Sequence, residues 1–304
     1  MLTSMIDNYL AIRRAAGFQL RTHEELLRLY ERFAKLRGDT HVRAQTALEW
    51  AATAPSPYQR GRRLEVVRIF ARHVRVEDTR HEVPPTGVFS SKRSHYRPFI
   101  YTQEQIRQLL EASAQLKPKG SLRPWTYCTL FSLLAVTGMR ISEAIALRFD
   151  DIAEEDTLII RATKFQKSRL LALHPTTLAG LQRYLQRRRL VVGTDDHIFV
   201  SLRSKALNYH TIVATFLQIV RAIGLHPGVG QRGPRLHDLR HSWAVAALEA
   251  SPCGIDQVTQ HVLAVGTYLG HAKLASTYTY LHTTPRLLSD IADRCEPVAK
   301  GVQP

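Results

Sequence analysis

The sequence predicts a mainly α-helical protein with a small antiparallel β-sheet. Three observations carry this. Apolar residues recur at helical spacing through most of the 304 residues. Two short β-type runs, Thr157-Leu158-Ile159-Ile160 and Leu170-Leu171-Ala172-Leu173, flank the stretch KFQKSR and read as one hairpin with a basic tip. A stretch rich in Pro, Gly and Ser, residues 83–100, separates a shorter helical segment from a longer mixed one.

Composition narrows the class. Lysine and arginine number 42 against 26 acidic residues, a formal charge of +16. A hydrophobic fraction of 44% is that of a globular protein. No apolar run approaches the ~20 residues that cross a bilayer, and no signal-peptide pattern opens the chain. Cys128, Cys253 and Cys295 are an odd, scattered set that suits neither a disulfide framework nor a zinc ribbon. The expectation is a soluble, cytoplasmic protein whose partner is a polyanion.

Residues 1–82 read as a helical module. Leu26, Leu27, Tyr30, Phe33 and Ala34 lie at helical spacing, and Thr40 is a candidate cap for a helix carrying Ala47 and Trp50. In a third helix, from about Pro57 to Arg75, Val66, Phe70 and Val74 form one stripe, and Arg68, Arg72 and Arg75 fall opposite it. Arg60, Arg62 and Arg63 sit at its start. These six arginines are either a solvated face or a surface for a DNA groove. Residues 83–100 form a basic linker carrying Lys92 and Arg93.

The second segment opens at Thr102, where Thr102 and Gln105 fit a capping box. Trp125 to Val136 is almost wholly apolar and predicts a core helix with Cys128 inside it. Thr137-Gly138 stops it, and a short helix follows from about Ser142. Helical patterning returns at 176–190, 208–223, 236–250 and 255–268, and HIFVS at 197–201 reads as a short strand.

Four segments carry groups suited to chemistry: TGMRISEAIAL, the hairpin tip, HDLRH, and LGH followed by TYTY. Read singly, each has an ordinary explanation; Arg140 with Glu143, for instance, is a common i,i+3 pair. Together they supply cations to clamp a phosphodiester, a lysine to protonate a leaving oxygen, histidines to move protons and tyrosines as nucleophiles. The glycine-rich GVGQRGPR does not continue as a P-loop, and the histidines lack metal-site spacing, so no cofactor or metal is expected.

In this order and spacing the motifs resemble those of the tyrosine recombinases, the phage-integrase family, over roughly residues 102–290. Lys164 follows Arg140 by 24 residues, and Tyr280 follows His271 by nine. The resemblance implies an N-terminal helical core-binding domain (SAM-like) over 1–82 and an α+β catalytic domain over 101–282. Residues 283–304, with Leu287, Leu288 and Ile291, would be a C-terminal helix and tail that docks on a neighbouring protomer or on its own domain.

Carried over by position, the resemblance implies that Arg140 and Arg240 bind the scissile phosphate and Lys164 is the general acid. His237 would be a general base or phosphate donor, His271 a second donor, Tyr280 the nucleophile and Glu143 a support. Lys167 rivals Lys164, because Phe165-Gln166 stands where the family often has glycine. Tyr278 rivals Tyr280, which is preferred for its spacing and for His282 after it. The implied reaction is cleavage and rejoining of DNA through a 3′-phosphotyrosyl link, by a homotetramer on paired sites. A type IB topoisomerase is the nearest alternative, and a DNA-binding regulator without catalysis is a second.

Overall fold

The computed structural model describes residues 2–89, 98–153, 157–161, 168–191, 193, 195–228, 233–250, 255–270 and 277. The chain divides into two compact units, Met1–Tyr96 and Arg97–Pro304. Each has its own apolar core. The described residues hold helices and one two-stranded antiparallel sheet. None of the described helices is long and apolar enough to cross a membrane.

The first unit is built from α1 (Leu2–Ala15), α2 (Arg21–Leu36), α3 (Ala44–Ala52) and α4 (Pro57–Val74). Helix α4 starts where Ser56 Oγ accepts the Gln59 amide and Pro57 fills the first helical position. Its Val66, Phe70 and Val74 are buried as their period predicts. Tyr9 meets Phe70 edge-on at 5.5 Å, and Tyr30 meets Trp50 in the same way at 5.5 Å. Full burial of each such side chain contributes about 1.5–3 kcal/mol.

Two expectations change here. Thr40 does not cap α3, whose preceding residue is Arg43; the Thr40 hydroxyl pairs instead with His41 Nδ1 at 2.8 Å. The start of the expected linker is packed rather than free, since Val83 and Phe89 lie against the first unit's core.

In the second unit, the capping box of α5 (Gln103–Ala114) is present as expected: Thr102 accepts the Gln105 amide and Gln105 accepts the Thr102 amide. The core helix α6 (Leu122–Thr137) packs against α5, α8 (Pro175–Arg189) and α10 (Asp238–Glu249). Its two apolar ends depart from expectation. Trp125 and Val136 are exposed, Trp125 beneath the Arg187 guanidinium at 3.7 Å, and Cys128 is half-buried. Gly138 ends α6 in the left-handed region, at φ 60°.

After the short α7 (Ile141–Ala146), strands β1 (Thr157–Ile160) and β2 (Arg169–Ala172) pair from Thr157↔Ala172 to Ile160↔Arg169. The return strand therefore begins one residue before the apolar run. HIFVS is not a strand: it makes only single bridges, His197 with Arg148 and Val200 with Ala206. Helices α9 (Tyr209–Ala222) and α11 (Ile255–Leu269) complete the described α-helices, and a 3-10 turn at Phe149–Asp151 precedes β1.

Candidate active site

An α-helix leaves its last carbonyls without intrahelical partners. At the end of α11, three consecutive carbonyls are met by three arginines from three elements. Arg169, the first residue of β2, donates from Nε to Tyr268 O at 2.9 Å. Arg240, in the first turn of α10, donates from Nη2 to Leu269 O at 2.8 Å. Arg140, between α6 and α7, donates from Nη2 to Gly270 O at 3.1 Å. The negative end of the helix dipole favours this gathering of cations.

Each arginine is held from a second side. Arg240 Nη1 donates to Gly138 O at 2.6 Å, and the residue is 3% exposed. Arg140 donates to Glu143 from its amide at 2.8 Å and from Nη1 at 2.7 Å. Arg169 donates to the same carboxylate from Nη1 at 3.0 Å and Nη2 at 2.9 Å. Burial pushes the Glu143 carboxyl up, but the bonds from Arg169 and Arg140 outweigh it and leave its pKa below the ordinary value. Glu143 thus stays ionised and holds both the backbone and the guanidinium of Arg140.

Two glycines allow the close approaches. A Cβ on Gly138 would stand 2.7 Å from the Trp243 ring, which stacks on Tyr268 at 4.8 Å. One on Gly270 would stand 2.7 Å from Arg169 Nη1. Both have positive φ.

His237 immediately precedes α10, one turn before Arg240, with its ring 4.8 Å from that of His241. Loss of hydration, then the positive charges of His241, Arg240 and Arg235, lower its pKa to about 4, and Asp238 opposes this only in part. His237 is therefore neutral at pH 7, able to accept a proton or to donate one hydrogen bond. Buried Asp238 accepts the Arg235 amide at 2.8 Å and fixes the turn into α10.

Arg140, Glu143, His237 and Arg240 are thus placed in the second unit. Lys164, its rival Lys167, His271, Tyr280 and its rival Tyr278 lie outside the described residues, as do Lys92, Arg93 and residues 283–304. Arg169 was read only as the last residue of the basic hairpin tip KFQKSR, with no role of its own; it is instead the first residue of β2.

In the first unit the six arginines of α4 and its edge divide into two sets. Arg60 Nε donates to Ala54 O at 2.8 Å; Arg63 reaches Thr53 Oγ1 at 2.7 Å and lies 5.0 Å over the Trp50 ring. Arg68 is paired with Glu65 at 2.6 Å. Arg62, Arg72 and Arg75 are exposed. A groove of about 460 Å³ along α4 is lined in part by His23, Tyr58, Arg62 and Arg68.

Two groups of described residues have metal-like proximity, His41/Asp78/His81 and Asp195/Asp196/His197. In the first, the hydrogen bonding does not suit a metal. His81 Nδ1 accepts the Val42 amide at 3.0 Å, so neutral His81 carries its proton on Nε2 and has no lone pair there. Asp195 accepts the amides of His197 at 3.0 Å and Ala206 at 2.8 Å.

The sequence model of the phage integrase family matches residues 100–286, which contain the whole arginine cluster. The chain is 36% identical over 305 residues to the integrase/recombinase y4rB of Sinorhizobium fredii, covering 96% of each. The chain belongs to the phage integrase family. Solved structures share the fold of this integrase-family chain at lower identity. One is the XerH site-specific recombinase bound to palindromic difH substrate: TM-score 0.67, 19% identity, 91% of this chain and 80% of that one covered. Another is the Tn1549 transposon integrase with transposon right-end DNA: TM-score 0.67, 15% identity, 92% and 94% covered. The helical architecture with one small antiparallel sheet is therefore the tyrosine-recombinase fold that the motifs resembled.

Proposed function

We propose that this chain is a site-specific DNA recombinase that cuts and rejoins strands through a 3′-phosphotyrosyl intermediate, on behalf of a mobile genetic element. The observation that carries the reading is the convergence of Arg140 and Arg240 on the carbonyls of Gly270 and Leu269, immediately before His271. Two guanidiniums so fixed can hold the non-bridging oxygens of one phosphodiester and stabilise the charge of a pentacoordinate transition state.

In the proposed reaction the Tyr280 oxygen attacks phosphorus and the bond to the 5′ oxygen breaks. His237, neutral at pH 7, takes the phenolic proton or donates to the phosphate. Lys164 protonates the departing 5′ oxygen, and His271 donates a second hydrogen bond to the phosphate. A 5′-hydroxyl from another strand reverses the step and frees Tyr280, without ATP or metal. The enzyme works as a homotetramer on paired sites in the cytoplasm of a bacterium, at the nucleoid. Arg62, Arg72, Arg75, Lys92 and Arg93 supply further contacts to the duplex.

The test uses a nicked suicide duplex carrying the sequence that the purified protein protects in the DNA bordering its reading frame. The wild-type chain is expected to give a covalent adduct on a denaturing gel, and Tyr280→Phe to bind without one. An adduct persisting in Tyr280→Phe moves the nucleophile elsewhere, with Tyr278 next in line. No adduct from the wild type overturns the reaction. Relaxation of supercoiled DNA without strand exchange on any paired sites would favour a topoisomerase.

A further inference from the structure

We propose that Arg169 is a positioning residue for the phosphate clamp, acting through Glu143; this rests on the reaction proposed above. Arg140 next to a lone carboxylate would be a closed, neutral ion pair with little attraction left for a phosphate. Arg169 changes that balance. Each Glu143 oxygen accepts once from Arg140 and once from Arg169, at 2.7–3.0 Å. One negative charge is shared between two guanidiniums, so the trio carries a net +1 and the carboxylate's lone pairs are saturated. The Glu143 side chain is 5% exposed and that of Arg169 12%, so water screens this sharing weakly.

Arg169 also joins three parts of the site. It begins β2, whose hairpin carries Lys164 in its connection. It binds Tyr268 O, two residues before Gly270 and three before His271. Through Glu143 it reaches the backbone and side chain of Arg140. The glycine at 270 is what leaves room for its guanidinium. Arg169 therefore sets the hairpin, the end of α11 and Arg140 in one register. It need not touch the phosphate to do so.

The experiment measures single-turnover adduct formation on the nicked duplex, together with duplex affinity and melting temperature. The variants are Arg169→Ala, Arg169→Lys, Glu143→Gln and the double variant Arg169→Ala/Glu143→Gln. Arg169→Ala is expected to slow adduct formation by about 10²-fold, the usual cost of a displacement near 1 Å, with affinity changed less than about threefold. Arg169→Lys keeps the charge but not the fork, and should recover part of the rate. The double variant should be no slower than Glu143→Gln alone, because both changes cut one linkage. Additive losses in the double variant, or an unchanged rate in Arg169→Ala, would overturn the assignment. If Arg169→Ala does not fold, Arg169→Lys at the wild-type rate overturns it in the same way. Absence of any wild-type adduct removes the reaction itself and this role with it.

Discussion

Arg240 donates to the carbonyl of Gly138 at 2.6 Å, joining the first turn of α10 to the end of α6 across 102 residues of sequence. The same guanidinium holds Leu269 O, so one buried cation fastens three helix ends. Both of these partners are backbone oxygens, which attract the cation without cancelling its formal charge.

Replacing Arg240 should therefore affect folding as well as chemistry. Arg240→Ala strands two buried carbonyls, at about 1–3 kcal/mol each before relaxation. A denaturant melt should show the loss, and adduct formation should fall by at least ~10²-fold. Unchanged stability would mean that water replaces the guanidinium.

The glycines offer a graded comparison. Gly17 and Gly138 both have positive φ, but a Cβ at Gly17 meets nothing within 4 Å, while at Gly138 it meets the Trp243 ring. Gly17→Ala should cost only the left-handed strain, about 1–2 kcal/mol. Gly138→Ala should cost more than twice as much, since a stacked indole has to move. Equal melting temperatures would show that Trp243 yields freely.

Acid should weaken the second unit through His237. Its folded pKa of about 4 lies below the ordinary 6.5, so between those values the unfolded chain binds more protons. Stability falls as pH drops through that window. The lowered pKa of neighbouring His241 acts in the same direction. Thermal melts at stepped pH should show the decline, and His237→Gln should flatten it. A wild-type curve that is flat from pH 6.5 to 4 would contradict this.

The arginines of the first unit should separate by role. Arg63→Ala loses the Thr53 bond and the Trp50 stacking and should destabilise by about 1–2 kcal/mol. Arg62→Ala and Arg72→Ala should leave the melt within about 0.5 kcal/mol. If they meet phosphates, each should lower the salt slope of duplex binding by about 0.9. The reverse pattern would exchange the two roles.

What could be read from the sequence was mostly local. The Thr102–Gln105 capping box, the α4 stripe and the pairing of 157–160 with the run after 169 each depend on residues close in the chain. The resemblance carried Arg140 and Arg240 as a pair. Their shared use of the end of α11 was not legible, because the contacts span 29 to 130 residues. Arg169 was hidden for the same reason, with partners 26 and 99 residues away. Thr40 misled because a hydroxyl that can cap a helix can as readily bind the ring beside it. HIFVS has the apolar character of a strand, but its backbone makes only isolated bridges.

The bonds of Arg60 to Ala54 O and of Arg63 to Thr53, just after α3, bear on anyone wishing to retune the proposed duplex contacts of this protein. A surface redesign that strips positive charge evenly from α4 would loosen the scaffold before it tuned those proposed contacts. The adjustable positions are Arg62, Arg72 and Arg75, where a substitution alters the field without unfastening a helix. Charge on α4 is therefore two separate resources, one for building the unit and one open to variation.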